Sequence, residues 1–186
     1  TDLHNFRQEY RRGELLENEV ARDAIAQFDS WMQDAISFPL VEPNAMTLVT
    51  ATSAGKPSAR VVLLKSFDNE GFVFFTNYNS RKGEEIVHNP YACIVFDWHL
   101  MERQVRIEGT IEKVAEEESD TYFNSRPEGS KLGAWVSPQS TTIANREELE
   151  ARKLELEKKF RHTPSTRPPH WGGYVVKPTL IEFWQG

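Results

Sequence analysis

The chain has 186 residues, of which 39% are hydrophobic and 11% aromatic, proportions typical of one globular domain with a sizeable core. Its 22 basic and 28 acidic residues give a net charge of −6, which argues against a nucleic-acid-binding or membrane-binding surface as its main function. The single cysteine, Cys93, leaves no intrachain disulfide and predicts a reducing, cytoplasmic compartment.

The first forty residues have the apolar spacing of helices. Leu3, Phe6 and Tyr10 recur at intervals of three and four, which predicts a weak amphipathic helix. A stronger helix is predicted after Asp23, a favourable N-cap, because the apolar residues that follow it recur at helical spacing. We interpret residues 1–40 as a helical segment that braces the rest of the domain.

Between residues 45 and 114 the periodicity becomes that of β-strands. Strands are predicted at residues 46–52, 60–65, 72–76, 91–98 and 103–114. The second and third of these are predicted to form an antiparallel hairpin, because turn-forming residues separate them. Five strands joined mostly by short turns predict a closed or nearly closed antiparallel barrel.

The last third of the sequence predicts two helices and two strands. A helix at 116–125 has acidic residues in its first turn, and a helix at 145–160 carries opposite charges four residues apart. Two final strands within 171–184 are predicted to be split by Pro178. The fold class is therefore mainly β with flanking helices (α+β), in a single domain over 1–186 whose segments are 1–40, 45–114, 116–160 and 171–184.

Four cationic residues bracket the predicted hairpin. Arg60 and Lys65 stand at the two ends of its first strand, and because side chains alternate along a strand we expect them on opposite faces. Ser80 is a plausible helix N-cap, which would place free N–H groups, Arg81 and Lys82 at a positive helix end suited to a phosphate. The alternative interpretation is that Arg60 and Lys65 are gatekeeper charges at the ends of a strand, and that Arg81 and Lys82 are ordinary solvated charges.

A second group of residues suits another anion. Tyr122 and Arg126 lie four apart on one helix face, with Ser130 in the predicted loop beyond them, and Lys65 is expected to join them. Because Arg60 and Lys65 are expected to face opposite sides, two different phosphorylated ligands are predicted. The sequence contains no metal-ligand spacing, nucleophile elbow or Gly-rich phosphate loop, so no metal site is predicted.

Long motifs are shared with one known family. They are RVVLLK, FFTNYNSRKGEEI, the Asn-Pro before a strand, WHLMERQVRIEG, YFNSRPEGSKLGAWVSPQS, WGGY and IEFWQG. On these motifs the chain resembles the pyridoxine/pyridoxamine 5'-phosphate oxidases, flavin enzymes that make pyridoxal 5'-phosphate. The resemblance implies an antiparallel split β-barrel homodimer, with FMN bound in a cleft at the subunit interface.

The resemblance also assigns residues to cofactor and substrate. FMN would be held by Arg60, Val61, Val62, Leu63, Leu64, Lys65, Phe75, Thr76, Arg81, Lys82, Gln104, Gln139, Ser140 and Trp184. The substrate phosphate would contact Lys65, Tyr122, Arg126 and Ser130. Arg7 and Tyr10 would belong to a segment that folds over the substrate, although an ordinary helix-face aromatic is an equal alternative for Tyr10.

The implied reaction is the FMN-dependent oxidation of pyridoxamine or pyridoxine 5'-phosphate to pyridoxal 5'-phosphate. A hydride would pass from the substrate C4′ to flavin N5, and O2 would be the final acceptor, giving H2O2. The family's Arg-x-His segment would follow Gly186, so the resemblance assigns no catalytic residue within this chain. The alternatives are a non-catalytic homologue that binds FMN or pyridoxal phosphate, and another split-barrel flavoprotein such as a flavin reductase.

Overall fold

The computed structural model describes residues 2–6, 9–161, 163 and 165–186, and these form one antiparallel sheet flanked by helices. The elements are α1 (Ala24–Ser37), β1 (Ala45–Ala51), β2 (Pro57–Leu63), β3 (Ser66–Asp68), β4 (Gly71–Asn77), α2 (Arg81–His88), β5 (Tyr91–Trp98), β6 (Arg103–Lys113), α3 (Glu116–Ser125), α4 (Glu128–Val136), α5 (Arg146–Lys159) and β7 (Trp171–Gln185). The strand order is β2-β1-β5-β6-β7-β4-β3. Within the described ranges, no helix has the length and apolar character to cross a membrane.

The sheet curls until its two ends approach each other. β2 and β3, at opposite ends of the strand order, are joined by only Leu64 and Lys65. The backbone N–H of Leu64 donates to Asn44 O at 2.9 Å, and that of Lys65 donates to Val73 O in β4 at 2.8 Å. The chain thus crosses directly from one end of the sheet to the other, which confirms the predicted split barrel and leaves a gap between β2 and β4.

The predicted hairpin between residues 60–65 and 72–76 is wrong. β2 instead pairs with β1, where Arg60 lies opposite Leu48, and the hairpin partner of β4 is the short β3. Each of these pairs closes over its own short turn, so pairing with the nearest strand costs little loop entropy. Leu64 and Lys65, between β2 and β3, connect the two ends of the sheet and do not form a hairpin turn.

The predicted N-terminal helix is also wrong. The described part of residues 2–12 contains no helix. The backbone N–H groups of Arg11 and Arg12 both donate to one carboxylate oxygen of Glu102, each at 2.7 Å. This tertiary contact satisfies backbone N–H donors that would otherwise bond within a helix. It holds the segment next to the end of β7, because the N–H of Gly186 donates to the carbonyl of the same residue, Glu102.

Two later elements differ from the prediction. The expected pair of final strands is one continuous strand, β7, because Pro178 lies at a register shift opposite Gly109, where the strand ladder is already interrupted. Residues that follow Arg126 form α4 and not a loop, so Ser130 is helical. Pro127 is the N-cap residue of α4 and makes no side-chain hydrogen bond to the helix N-terminus.

The main hydrophobic core lies between α1 and the inner face of the barrel. The N-cap is Asp23, as predicted, and its side chain accepts a hydrogen bond from the N–H of Ala26 at 2.8 Å. Phe28 is fully buried, and its ring lies 4.9 Å from the ring of Phe72 and 5.1 Å from that of Phe96. The helix predicted from apolar spacing therefore closes one side of the barrel.

A smaller cluster packs α3 and α4 beside the gap in the barrel. It consists of Phe123, Ala134 and Trp171. Arg167 fastens this region, because its side chain donates to Asp120 at 2.6 Å and to the carbonyl of Trp171 at 2.8 Å. α3 and the start of β7 are therefore held together next to the opening.

Gly83, in the first turn of α2, packs against the preceding loop, where a Cβ would lie 1.9 Å from Tyr78 O. Because the backbone must shift, we expect Gly83→Ala to lower the free energy of unfolding by roughly 1–3 kcal/mol, measured by urea denaturation. The control is Gly129→Ala in α4, where a Cβ meets nothing within 4 Å. It should raise stability by up to about 1 kcal/mol. Equal effects of the two substitutions would contradict the tight packing at Gly83.

Candidate functional site

A cavity of about 990 Å³ lies in the gap between β2 and β4. Its walls come from β2, the second half of β4, the start of α2, the end of α3, α4 and the loop that follows it. Most predicted ligand-binding residues line it: Arg60, Val61, Val62, Leu63, Lys65, Phe75, Thr76, Arg81, Lys82, Tyr122, Arg126, Ser130, Gln139 and Ser140.

The two predicted cationic groups share this one cavity. Arg60 and Lys65 were expected on opposite faces of a strand, but both line the same space. β2 ends at Leu63, so the alternation of side chains along the strand does not extend to Lys65. The cavity therefore offers a cationic group near α2 and a second one near α3.

The N-terminus of α2 lies on the cavity wall. Ser80 is its N-cap, as predicted: its hydroxyl accepts a hydrogen bond from the N–H of Gly83 at 3.4 Å and donates to Asn77 O at 2.7 Å. The positive end of the helix dipole therefore lies beside Arg81 and Lys82. Helix N–H groups together with side-chain cations form a donor set that binds phosphate esters.

A buried carboxylate, Glu85, organises this cationic group. Its side chain is 5% exposed and accepts hydrogen bonds from Thr50 Oγ1 at 2.5 Å and Ser58 Oγ at 2.6 Å. Arg81 Nε lies 2.9 Å from it, and an Arg60 guanidinium nitrogen lies 3.5 Å from it. Burial raises the pKa of Glu85, but these hydrogen bonds and the Arg60 charge outweigh burial and hold the pKa at about 2. The ionised carboxylate thus positions both guanidinium groups.

Lys82 is a buried cation whose hydrogen bonds go to neutral oxygens. Its Nζ donates to Gln139 Oε1 at 2.7 Å, Thr76 Oγ1 at 2.9 Å and Ser80 Oγ at 3.0 Å. Burial, and after it the charge of Arg60, lowers the pKa of Lys82 to about 8. A bound anion would supply the negative charge that these partners lack.

Anion binding near α2 should depend on pH, because Lys82 must be protonated to attract an anion. We expect the affinity for sulfate, whose charge is constant across this range, to fall roughly tenfold as the pH rises through about 8. Isothermal titration calorimetry on either side of this pH measures the change. Lys82→Met should weaken sulfate binding at neutral pH and flatten the profile. If sulfate affinity fell as steeply with pH in Lys82→Met, Lys82 would not be the group that controls anion binding.

The cavity also has a wall of stacked aromatic rings with cations beside it. The rings of Phe75 and Tyr122 lie 4.0 Å apart at an angle of 21°, and the ring of Trp171 lies 5.6 Å from Phe75 at 15°. The Arg126 guanidinium lies 4.5 Å from the centre of the Trp171 ring, and Lys65 Nζ lies 6.0 Å from that of Tyr122. This arrangement suits a flat ligand that carries an anionic group.

Arg126 carries an unsatisfied donor. Its NH1 atom is buried and has no hydrogen-bond partner within the described part of the chain. Burial lowers the pKa of Arg126, and interaction with Tyr122 partly offsets this. An unpaired donor at a buried charged group is costly, and a phosphate oxygen would satisfy it. Ser130 and Lys65 line the same cavity as Arg126 and Tyr122, so the structure brings these four predicted residues to one space.

Four predicted residues lie elsewhere. Gln104 and Trp184 are paired across β6 and β7 and line a second cavity of about 290 Å³. Tyr10 lines it too, its ring packing edge-on against Trp184 at 5.2 Å, so the helix-face alternative for Tyr10 does not hold. Leu64 is 5% exposed and belongs to the core. Arg7 lies outside the described residues.

Two residues that hold the cations of the site in place, Glu85 and Trp171, were not predicted. A signal for Glu85 existed, because it stands four residues after Arg81 on a predicted helix, the spacing of an ion pair. The contact between Trp171 and Arg126 joins distant parts of the sequence, and the spacing of residues carries no sign of it.

Known proteins match most of this sequence. A family model described as pyridoxamine 5'-phosphate oxidase matches residues 32–159. The chain belongs to this family. Two curated relatives named pyridoxine/pyridoxamine 5'-phosphate oxidase, from Acaryochloris marina and Burkholderia thailandensis, are 53% and 55% identical over 186 residues. The matches cover 100% of this chain and 85% and 86% of those relatives, which confirms the predicted family.

Solved structures show the same architecture. PhzG from Burkholderia lata, solved in complex with tetrahydrophenazine-1-carboxylic acid, is 30% identical with a TM-score of 0.86, and the match covers 93% of this chain and 86% of PhzG. A pyridoxamine 5'-phosphate oxidase-related, FMN-binding protein from Nostoc punctiforme has a TM-score of 0.68 at 15% identity, over 89% of this chain and 87% of that protein. The second similarity concerns the fold alone.

Proposed function

We propose that this member of the pyridoxamine 5'-phosphate oxidase family binds FMN and oxidises pyridoxamine or pyridoxine 5'-phosphate to pyridoxal 5'-phosphate. O2 accepts the two electrons and is reduced to H2O2; with pyridoxamine 5'-phosphate, water also hydrolyses the imine that forms and releases ammonia. The observation that carries the proposal is that one cavity contains two separate cationic groups and a wall of stacked rings. Such a space suits two phosphorylated, flat molecules lying close together. The names of the curated relatives support the same reaction.

The part of the cavity near α2 fits FMN. Arg60, Arg81, Lys82 and the N-terminus of α2 supply donors for its phosphate, and Lys82 lacks a negative partner among its hydrogen bonds. Thr76 and Gln139 supply further polar contacts on the same wall. When bound, FMN supplies the chemistry that accepts two electrons from the substrate and passes them to O2. The residues of the chain bind and orient both molecules.

The part near α3 fits the phosphate of the substrate. Arg126 has a buried N–H without a partner, and Lys65, Tyr122 and Ser130 line the wall around it. The stacked rings offer an apolar surface for a pyridine ring, while Arg126 and Lys65 hold the phosphate. These residues fix the substrate in the cavity, so its reactive carbon can be held in one position.

We propose that the functional unit is a homodimer. Gln104 and Trp184 line a separate cavity on each chain, and β1 and β5 lie between β2 and β6 in the sheet. A second copy can bring these two residues to the first copy's FMN site. Mixing an Arg60→Ala chain with a Trp184→Ala chain tests this, because a mixed dimer has one intact site and should recover activity. No recovery from a mixed dimer of confirmed composition would contradict the shared site.

Turnover separates the proposed oxidase from its alternatives. FMN-loaded protein is incubated in air with pyridoxamine 5'-phosphate, and pyridoxal 5'-phosphate and H2O2 are measured; we expect both to accumulate together. FMN binding without product would instead indicate a non-catalytic homologue. Oxidation of a reduced nicotinamide without pyridoxal 5'-phosphate formation would indicate a flavin reductase. Failure to bind FMN at all would contradict both the oxidase and the flavin reductase.

A further inference from the structure

We propose that Trp171 is a positioning residue, which holds the Arg126 guanidinium so that the site selects phosphorylated over unphosphorylated ligands. The inference rests on the proposed function, in which Arg126 binds the substrate phosphate. It extends that function by identifying a residue that acts through Arg126. Both residues line the large cavity.

The Arg126 side chain has few polar contacts to fix its position. None of the ion pairs formed by the described residues involves Arg126, and its buried NH1 has no hydrogen-bond partner there. Its guanidinium lies 4.5 Å from the centre of the Trp171 ring and 5.9 Å from that of Phe123. Ring contact with Trp171 is therefore the main restraint on this group.

Trp171 is itself rigidly held. Its side chain is 6% exposed and lies edge-on to Phe123 at 5.4 Å, as well as parallel to Phe75. Its backbone N–H donates to Pro168 O at 3.0 Å, and its carbonyl accepts from Arg167 at 2.8 Å. A side chain packed on both sides and bonded at its backbone can act as a fixed platform for Arg126.

An aromatic platform suits phosphate selection better than an acidic partner. A guanidinium group over an aromatic ring is stabilised through its face, so its N–H donors remain free at its edge. A carboxylate partner would occupy some of those N–H donors, as Glu85 does for Arg60 and Arg81. Arg126 therefore keeps a donor for the ligand, and a ligand without phosphate leaves that donor unpaired.

A double-mutant cycle tests the proposal by equilibrium dialysis of FMN-loaded protein against pyridoxal 5'-phosphate and, separately, pyridoxal. We expect Trp171→Leu to weaken binding of the phosphate ester roughly tenfold and binding of pyridoxal by less than about twofold. Arg126→Ala should weaken the ester at least as much. In the Arg126→Ala background, Trp171→Leu should cause no further loss, because its effect passes through Arg126.

Two further variants keep the test decisive. Trp171→Phe retains a ring and should recover part of the preference for the ester. If Trp171→Leu does not fold, the double-mutant cycle is measured with Trp171→Phe in its place. The control is Trp31→Phe. The Arg103 guanidinium lies 4.5 Å from the centre of the Trp31 ring, and neither residue lines this cavity, so the preference for the phosphate ester over pyridoxal should be unchanged. Additive losses in the double variant, or equal losses for both ligands, would overturn the role of Trp171. Wild-type protein without any preference for the ester would instead contradict the proposed function.

Discussion

Replacing Arg126 with alanine is expected to raise the KM for pyridoxamine 5'-phosphate roughly 10- to 100-fold, the effect of losing charge-assisted hydrogen bonds. The affinity for FMN should change by less than about twofold, because the cations assigned to FMN lie near α2 and not near α3. Steady-state kinetics give the KM, and titration of flavin fluorescence gives the Kd for FMN. The different sizes of the two effects would show that the cavity contains two distinct anion sites.

Two variants serve as controls for this experiment. Arg126→Lys keeps the charge but loses the planar group that lies over Trp171, so it should recover only part of the lost affinity. Arg146→Ala removes an arginine whose side chain is 87% exposed on α5 and should leave both constants unchanged. Equal losses of substrate and FMN affinity in Arg126→Ala would contradict two separate sites.

Replacing Glu85 with alanine is expected to lower the free energy of unfolding by roughly 2–4 kcal/mol and to weaken FMN binding. The substitution leaves Arg60, whose side chain is only 20% exposed, without its carboxylate, and it removes the acceptor for the hydroxyl groups of Thr50 and Ser58. Arg81 contributes less, because its side chain is 55% exposed. Urea denaturation of the FMN-free protein and an FMN titration measure the two effects.

Two other variants, Glu84→Ala and Glu85→Gln, serve as comparisons for Glu85→Ala. Glu84→Ala removes an exposed carboxylate from the same helix and should change stability by less than about 0.5 kcal/mol. Glu85→Gln keeps the shape but not the charge. Because the folded-state pKa of Glu85 is about 2, below its ordinary value of 4.5, its charge stabilises the fold above pH 4.5 and ceases to do so as the pH falls towards 2. The stability difference between wild type and Glu85→Gln should therefore narrow over that range, and a constant difference would contradict the role of the charge.

The type of fold could be predicted because its signals are local. Alternation along β5 and β6 and the cap of α1 at Asp23 depend on neighbouring residues, and these elements lie where they were expected. Strand pairing depends on residues far apart in sequence, so the partner of β2 was predicted wrongly. The N-terminal segment was mistaken for a helix because its donors are satisfied by Glu102, a residue about ninety positions away.

In the candidate site, too, local features could be predicted from the sequence and tertiary ones could not. Helix spacing was enough to bring Tyr122 and Arg126 together, and the N-cap at Ser80 was enough to place two cations at a helix end. Burial and counter-charge are tertiary properties, so the roles of Glu85 and Trp171 emerged only from the structure. Motif resemblance assigned residues that line two different cavities to one ligand, because a sequence motif does not say which cavity each residue lines.

The most direct test of the proposed function is to mix FMN-loaded protein with a stoichiometric amount of pyridoxamine 5'-phosphate in the absence of O2 and record the visible flavin absorbance. We predict that the absorbance of oxidised flavin is lost as pyridoxal 5'-phosphate forms in equal amount, and that it returns with H2O2 when O2 is admitted. Unchanged flavin absorbance, with the substrate shown by dialysis to be bound, would contradict the proposed oxidase.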